Sequence, residues 1–480
     1  MPARNGKRIR VRVNAATWVL IAAVVGSAMT FIDGSAVNVA LPIVQRDLHA
    51  TSTQMQWVVE GYSLFLAALI LLGGSLGDLY GRRRMFVAGI VLFGAASLAC
   101  GLAPNIVLLI VARCVQGAGA ALAMPESLAL ISANFSGEAR GKAIGTWSGF
   151  ASITAALGPV LGGWLAQHAS WRYVFFINLP LALIVLAIAL TRVPESRDEE
   201  FAPHLDLAGA VLATLGLGAL TYGFIEAQGA TNTRALVAVA LGASLLGAFV
   251  WVEKRAVQPM MPLALFRSRA FAAANLYTSG LYAAIGGALY FLPFALIDAQ
   301  GYSPTAAGAA LLPFVVLQFG FARWSGGLMG RIGARIPLLA GALIAAVAFS
   351  LFALPGLGGT YWNTYFPAAL VLGVGGVLFV APLTTTVLDA VATERSGIAS
   401  GINNAVARTA GLLAVAAFGI VFAHFAPAGT ATHNPLQQLA GFRAVMWVTA
   451  ALCALSALLA LAIPPRVAER AAAKAAPATS

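Results

Sequence analysis

The chain reads as long, unbroken apolar runs separated by short polar breaks. Fourteen runs stand out, at about 17–41, 56–77, 85–102, 105–131, 142–167, 172–191, 206–227, 234–252, 270–297, 304–326, 336–354, 364–388, 397–424 and 441–463. A helix of roughly 20 apolar residues crosses the hydrocarbon core of a bilayer. Only helices or closed barrels satisfy their backbone there. Barrel strands alternate apolar and polar positions, whereas these runs are continuous. The pattern therefore predicts an all-α membrane protein with fourteen transmembrane helices.

Composition agrees with the pattern. Hydrophobic residues make up 60% of the 480 and charged residues only 10%, against about 25% charged in an ordinary soluble domain. An even number of crossings puts both termini on one side. On that side fall 22 of the 29 Lys and Arg, among them the N-terminal tail, Arg82–Arg84, Arg140, Lys142 and Arg331, and only four fall opposite. Such a bias marks the cytoplasmic face, so both termini are expected there, in an inner (plasma) membrane. The net charge of +12 thus belongs to a membrane surface and does not argue for nucleic acid. The basic stretch Arg4 to Arg12 precedes a run too long for a signal peptide and reads as a cytoplasmic tail. Cys100, Cys114 and Cys453 all lie within apolar runs, without metal or CxxC spacing, and read as small core residues.

A weak internal repeat gives the organisation. Asp78-Leu-Tyr-Gly81-Arg82-Arg83 follows the second run, and Gly330-Arg-Ile-Gly333-Ala-Arg335 follows the tenth. Transporters are often built from such repeats. The plan expected is six helices (1–195), two extra, peripheral helices with their linkers (196–262), and six more with a C-terminal tail (263–480). The linkers are polar and carry Asp198, Glu199, Glu200, Lys254 and Arg255.

Ionisable groups inside a membrane are costly, and so they are candidates for function. Asp33, Glu60, Arg113 and Glu126 stand out in the first half and Arg408 in the second. Asp33 reads either as a structural partner of Arg113 or as a carboxylate that binds and releases a proton. Desolvation and a neighbouring cation act on such a group in opposite senses. Arg113 needs a counter-charge, from Asp33 or Glu126. Glu126 follows Pro125, where a helix can open, and either faces a cavity or forms a salt bridge. Glu60 lies one turn from Trp57, near a run's end, with interface solvation as its plainer reading. Asp206, Glu226, Asp298 and Asp389 sit near run ends, where solvation or capping is expected.

Two segments look mechanical. Gly77-Asp78-Leu-Tyr-Gly81-Arg82-Arg83-Arg84 is a tight basic turn in which Gly81 permits the turn and Asp78 pairs with an Arg or caps the next helix. The fifth run carries Gly145/Gly149 and Gly158/Gly162 at helical spacing, with Pro159 and Gly163. That gives a smooth, bendable face on which a neighbour can pack closely. Gly137 to Ala143 lacks the spacing and the Ser/Thr of a phosphate loop. No hydrolase motif occurs either, so an enzyme is not expected.

At these residues the chain resembles the major facilitator superfamily, in its fourteen-helix drug:proton antiporter branch. The turn at Gly77 to Arg83 resembles that family's signature loop. Arg113-Cys-Val-Gln116-Gly117-Ala-Gly119 resembles its proton-coupling segment. Gly158-Pro159-Val-Leu-Gly162-Gly163 resembles its antiporter motif. Asp33 to Pro42 and Trp171 to Pro180 resemble segments of the fourteen-helix branch. Gly330 stands where the first loop has Asp78, and Glu126 where a small residue is expected. The resemblance implies a drug:proton exporter working by alternating access. Asp33, Arg113, Glu126 and Glu60 would serve proton coupling, and the two glycine segments the conformational switch. Amphiphilic or cationic drug-like molecules, protons and the lipid bilayer would be its partners. No cofactor beyond the proton gradient and no metal is implied, and a periplasmic adaptor is left open. A facilitator for a lipid, metabolite or siderophore, and a passive channel, are the alternatives.

Overall fold

The computed structural model describes residues 15–135, 137–196, 205–228, 233–256, 259–391, 396–426 and 434–463. The basic N-terminal tail, Asp198 to Glu200, Arg395 and the C-terminal tail lie outside them. Every regular element among the described residues is a helix. Five long helices come first: α1 (Ala15–Asp47), α2 (Ser52–Tyr80), α3 (Arg82–Leu102), α4 (Ile106–Asn134) and α5 (Gly137–His168). A sixth crossing follows in two pieces, α6 (Tyr173–Phe176) and α7 (Asn178–Arg192). Then come α8 (Leu207–Glu226) and α9 (Thr233–Arg255). The rest is α10 (Arg269–Phe294), α11 (Pro304–Ala309), α12 (Leu312–Ile332), α13 (Arg335–Ala353), α14 (Tyr361–Asp389), α15 (Ser396–Phe425) and α16 (Pro435–Ala460).

Thirteen of the described helical stretches are long and apolar enough to cross a membrane. Within the expected run 304–326, Pro304–Gln318 forms a shorter apolar helical stretch, broken between α11 and α12. Pro313 explains the split: it has no N–H to donate to Ala309, and its ring clashes with that carbonyl. Pro180 acts in the same way on Phe176 and accompanies the break between α6 and α7. Pro125 does not open α4, and Pro159 does not interrupt α5. Polar residues in the breaks start the helices. Thr51 and Gln54 form a reciprocal capping box on α2, and Asn105, Asp206, Ser268, Ser303 and Asn434 cap α4, α8, α10, α11 and α16. These side chains satisfy backbone donors that a helix start leaves open. Large apolar side chains such as Leu183, Leu190, Leu215 and Leu241 remain exposed, as the lipid-facing sides of such helices must.

Packing divides the helices into two groups. In the first, α4 packs on α1, α2 and α3, and α1 also packs on α5 and α7. In the second, α10 packs on α15 and α16, α13 on α14 and α16, and α12 on α14. The two extra helices pair with each other, but they are not both peripheral as the sequence led us to expect. α8 also packs against α2 of the first group and α15 of the second. Just beyond its end, Gln228 donates 2.7 Å to Gln56.

Candidate functional site

The ionisable residues of the apolar runs fall in three separate places. The first is a polar cluster inside the first helix group. Asp33 and Arg113 are 0% and 1% exposed, and an Arg113 Nη1 donates 2.5 Å to Asp33 Oδ2. The other Asp33 oxygen accepts from Gln116 Nε2 at 2.9 Å and from Asn178 Nδ2 at 3.0 Å. Arg113 also donates to Gln116 Oε1 at 2.7 Å and, through Nε, to the Val58 carbonyl at 3.0 Å. Ser97 closes the network, accepting from Gln116 and Asn178 and donating to the Phe175 carbonyl. The Tyr62 ring covers the guanidinium, with its centroid 4.2 Å away.

Backbone shape brings the cluster together. Gly117 lets α4 press on α2, because an added Cβ would strike the Tyr62 carbonyl. Breaking the pair by removing one partner leaves an uncompensated buried charge, at a cost of about 3–5 kcal/mol. Of the two partners open to Arg113 in the sequence, the structure therefore selects Asp33. Gln116, Asn178 and Ser97 were not recognised from the sequence. Their only signal was a polar side chain within an apolar run.

The second place is the turn between α2 and α3, at the face where α1 begins and Arg82–Arg84 lie, here termed the basic face. Asp78 accepts from Arg82 Nε at 3.0 Å and Nη2 at 2.8 Å. Gly81 adopts φ +108° and Gly333, in the repeat, φ +76°. Glycine occupies this region at no steric cost, so the repeat is preserved in backbone shape as well as sequence. Glu195 ties the end of α7 to this turn. It accepts from the Arg83 amide at 3.0 Å and lies 3.7 and 3.8 Å from the Arg83 and Arg84 guanidinium groups. Glu126 belongs here too. It neither faces a cavity nor forms a salt bridge among the described residues: it is 1% exposed and neither oxygen has a hydrogen-bond partner. Its carboxyl group lies directly against Gly77, where any added side chain would collide with it. The tip of the Glu126 side chain thus occupies the space that a Cβ at 77 would take.

The third place is the seam between the helix groups. Here the two halves of α5 differ. Gly158 and Gly162 press on α1, where added Cβ atoms would meet Ser35 and Ala36. Gly163 presses on Pro304, and Gly308 of α11 presses back on Pro159. Gln167 accepts from Thr305 Oγ1 at 2.7 Å, and Arg46 lies 3.7 Å from Asp298. The groups are therefore closed on each other at the face opposite the basic one. An atom added at Gly145 or Gly149, in the half of α5 nearer the basic face, or at Gly34 or Gly320, would meet nothing within 4 Å, so these positions carry no such seal. Glu60 lies deeper in the seam on α2. It is fully buried, not solvated at an interface, and both its oxygens lack partners.

The Major Facilitator Superfamily profile matches residues 23–416. The chain belongs to the Major Facilitator Superfamily. The multidrug resistance protein Stp of Mycobacterium tuberculosis (strain CDC 1551 / Oshkosh) is 39% identical over 434 residues, covering 87% of this chain and 79% of that protein. The cephamycin export protein CmcT of Amycolatopsis lactamdurans is 34% identical over 466 residues, covering 95% of this chain and 96% of that one. Among solved structures, a bacterial homologue of the human lysosomal transporter Spinster, crystallised inward-facing and occupied, superposes with a TM-score of 0.67. It has 16% identity and covers 95% of this chain and 97% of that one, a likeness of fold alone. The protein is thus a multi-pass membrane transporter rather than an enzyme, akin to drug and antibiotic exporters.

Proposed function

We propose that this transporter is a proton-coupled exporter of small amphiphilic molecules, of the fourteen-helix branch. Its bundles of six helices, 1–195 and 263–480, rock about a cleft, with the hairpin of 196–262 between them. α11 and α12 together make one broken crossing, which brings the count to fourteen. The basic face is cytoplasmic by its charge bias, so the cleft opens inwards here. Stp and CmcT are named for drug resistance and antibiotic export, which supports a drug-like substrate. No cofactor beyond the proton gradient enters the proposal.

The observation that carries the reading is the Asp33–Arg113 pair. A carboxylate in mid-membrane must be paired, protonated or hydrated, since an isolated buried charge costs several kcal/mol. Here Arg113, Gln116 and Asn178 pair with it. In the alternate conformation α1 and α4 shift, Arg113 lets go, and Asp33 takes a proton from the outer side. Return to the inward state gives that proton up. One half-cycle therefore carries a proton in and the other carries substrate out.

Asp33→Asn tests this in proteoliposomes, against a panel of amphiphilic drugs and with an internal pH dye. The variant should lose pH-gradient-driven export while retaining downhill exchange. It should also lose about 3–5 kcal/mol of stability, because Arg113 loses its counter-charge. Uphill export with a normal pH dependence would move the role to Glu60 or Glu126.

A further inference from the structure

A second mid-membrane arginine has no such partner. Arg408 lies near the middle of α15, half-buried and facing the first helix group across the seam. Its Nη2 lies 3.5 Å from the Met124 sulfur, and its guanidinium carbon 6.0 Å from the centroid of the Phe31 ring. Among the described residues, no carboxylate comes within ion-pair distance of it. Asp33 is held by Arg113, whose guanidinium lies over the Tyr62 ring. The titratable groups facing Arg408 are the phenols of Tyr62 and Tyr282. The Tyr62 hydroxyl is itself buried and has no hydrogen-bond partner.

Arginine does not shed its proton in proteins, so this charge cannot escape its cost by neutralising. An uncompensated cation half-buried between the helix groups also concentrates a positive potential there. Its planar fork is suited to a carboxylate or a similar planar acid. Phe31 is half-buried and so offers an apolar surface beside the charge, while Met124 backs the guanidinium from the core.

Resting on the export reading, we infer that Arg408 is an anchoring site for an acidic group, typically a carboxylate, on an amphiphilic substrate. Phe31 takes the apolar part of that molecule. The cleft then accepts organic acids, a class that a cationic-drug carrier would repel. The empty inward state presents the positive charge to the cytoplasm and is filled by the substrate's own anion.

The test uses the full chain in lipid nanodiscs and a matched pair of probes, the free-acid and methyl-ester forms of one rhodamine dye. Binding is read by fluorescence anisotropy for wild type, Arg408→Gln and Arg408→Lys, each checked for an unchanged melting temperature. Wild type should prefer the acid. Arg408→Gln should weaken acid binding about tenfold, the worth of one charge-assisted hydrogen bond, and leave the ester nearly unchanged. Arg408→Lys should restore part of the loss. No acid preference in wild type, including binding of neither dye, overturns the proposal, as does an equal loss of both dyes in Arg408→Gln. Proton exchange by wild type in proteoliposomes is measured separately with the drug panel. Failure there removes the export reading without deciding whether Arg408 selects the acid.

Discussion

Replacing Gly163 by Ala adds one methyl group at the place where the two helix groups meet. That methyl would stand against the Pro304 carbonyl and 3.1 Å from Thr305 Cα. Both are backbone atoms, so neither can move aside as a side-chain tip would. α5 and α11 must separate to admit it. Small-to-large changes in tight packing cost about 1–3 kcal/mol. The cost applies only to the conformation in which α5 and α11 touch. Two access states typically differ by a few kcal/mol. A bias of this size multiplies their ratio by about 5–150, in favour of the state open at the opposite face. Gly162→Ala makes a useful contrast, because its methyl would meet Ala36 of α1 within the same group. That substitution costs stability without choosing between the states.

The assay is a cysteine at Gly145, where nothing lies within 4 Å in this conformation. Cys100, Cys114 and Cys453 are replaced beforehand. A membrane-impermeant maleimide applied from the basic face reports whether the cleft is open to that side. Gly163→Ala should slow labelling at Gly145 severalfold and depress export, with the melting temperature still in the wild-type range. Wild-type labelling and wild-type export in Gly163→Ala would refute the reasoning, because α5 and α11 would then not form the seal that changes in the cycle.

Two further outcomes follow from the same geometry. Asp78→Ala removes a partly exposed ion pair worth at most about 1 kcal/mol, so substrate binding and melting should barely move while transport falls; normal transport would leave the turn as an anchor only. Glu60→Gln replaces a carboxyl group that has no partner to lose, so stability should change by less than about 1 kcal/mol, and the pH profile of export should flatten; an unaltered profile would exclude Glu60 from the cycle.

Much of the architecture was legible because hydrophobic runs report directly on membrane crossings. All fourteen expected runs coincide with helical segments. The break at Ala310 was missed, although Pro313 was the signal for it. The wedge formed by α8 was not readable, because apolar residues facing lipid and those facing a neighbouring helix look alike in sequence. Among the site residues, Asp33 and Arg113 were legible as a pair because an unpaired mid-membrane charge is so expensive. Glu126 was not placed correctly. Its position depends on which side of α4 meets the end of α2, and only the fit of its carboxyl group against Gly77 shows that. Gln116, Asn178 and Ser97 escaped for a related reason: a buried amide or hydroxyl is informative only once its partner is known.

The orientation of Asp33 bears on how coupling would work. A carboxylate on the cleft wall lets proton and substrate exclude each other by direct competition. Asp33 instead points away from the cleft, into the first helix group, where Arg113, Gln116 and Asn178 fill its hydrogen-bonding capacity. The same helix presents half-buried Phe31, Gly34 and Asn38 on its other side, and it carries Ser35 and Ala36, on which Gly158 and Gly162 pack. Under the proposed mechanism, then, the proton acts on substrate through α1. Protonating Asp33 releases its hold on α4, and the shift of α1 reaches the cleft face and the α5 seam together. Coupling by this route needs a close fit between α1 and α5, because a loose contact would absorb the movement. That requirement assigns the glycines at 158 and 162 to the transmission of the proton's effect, and Gly163, which touches α11 rather than α1, to the seal that the movement opens.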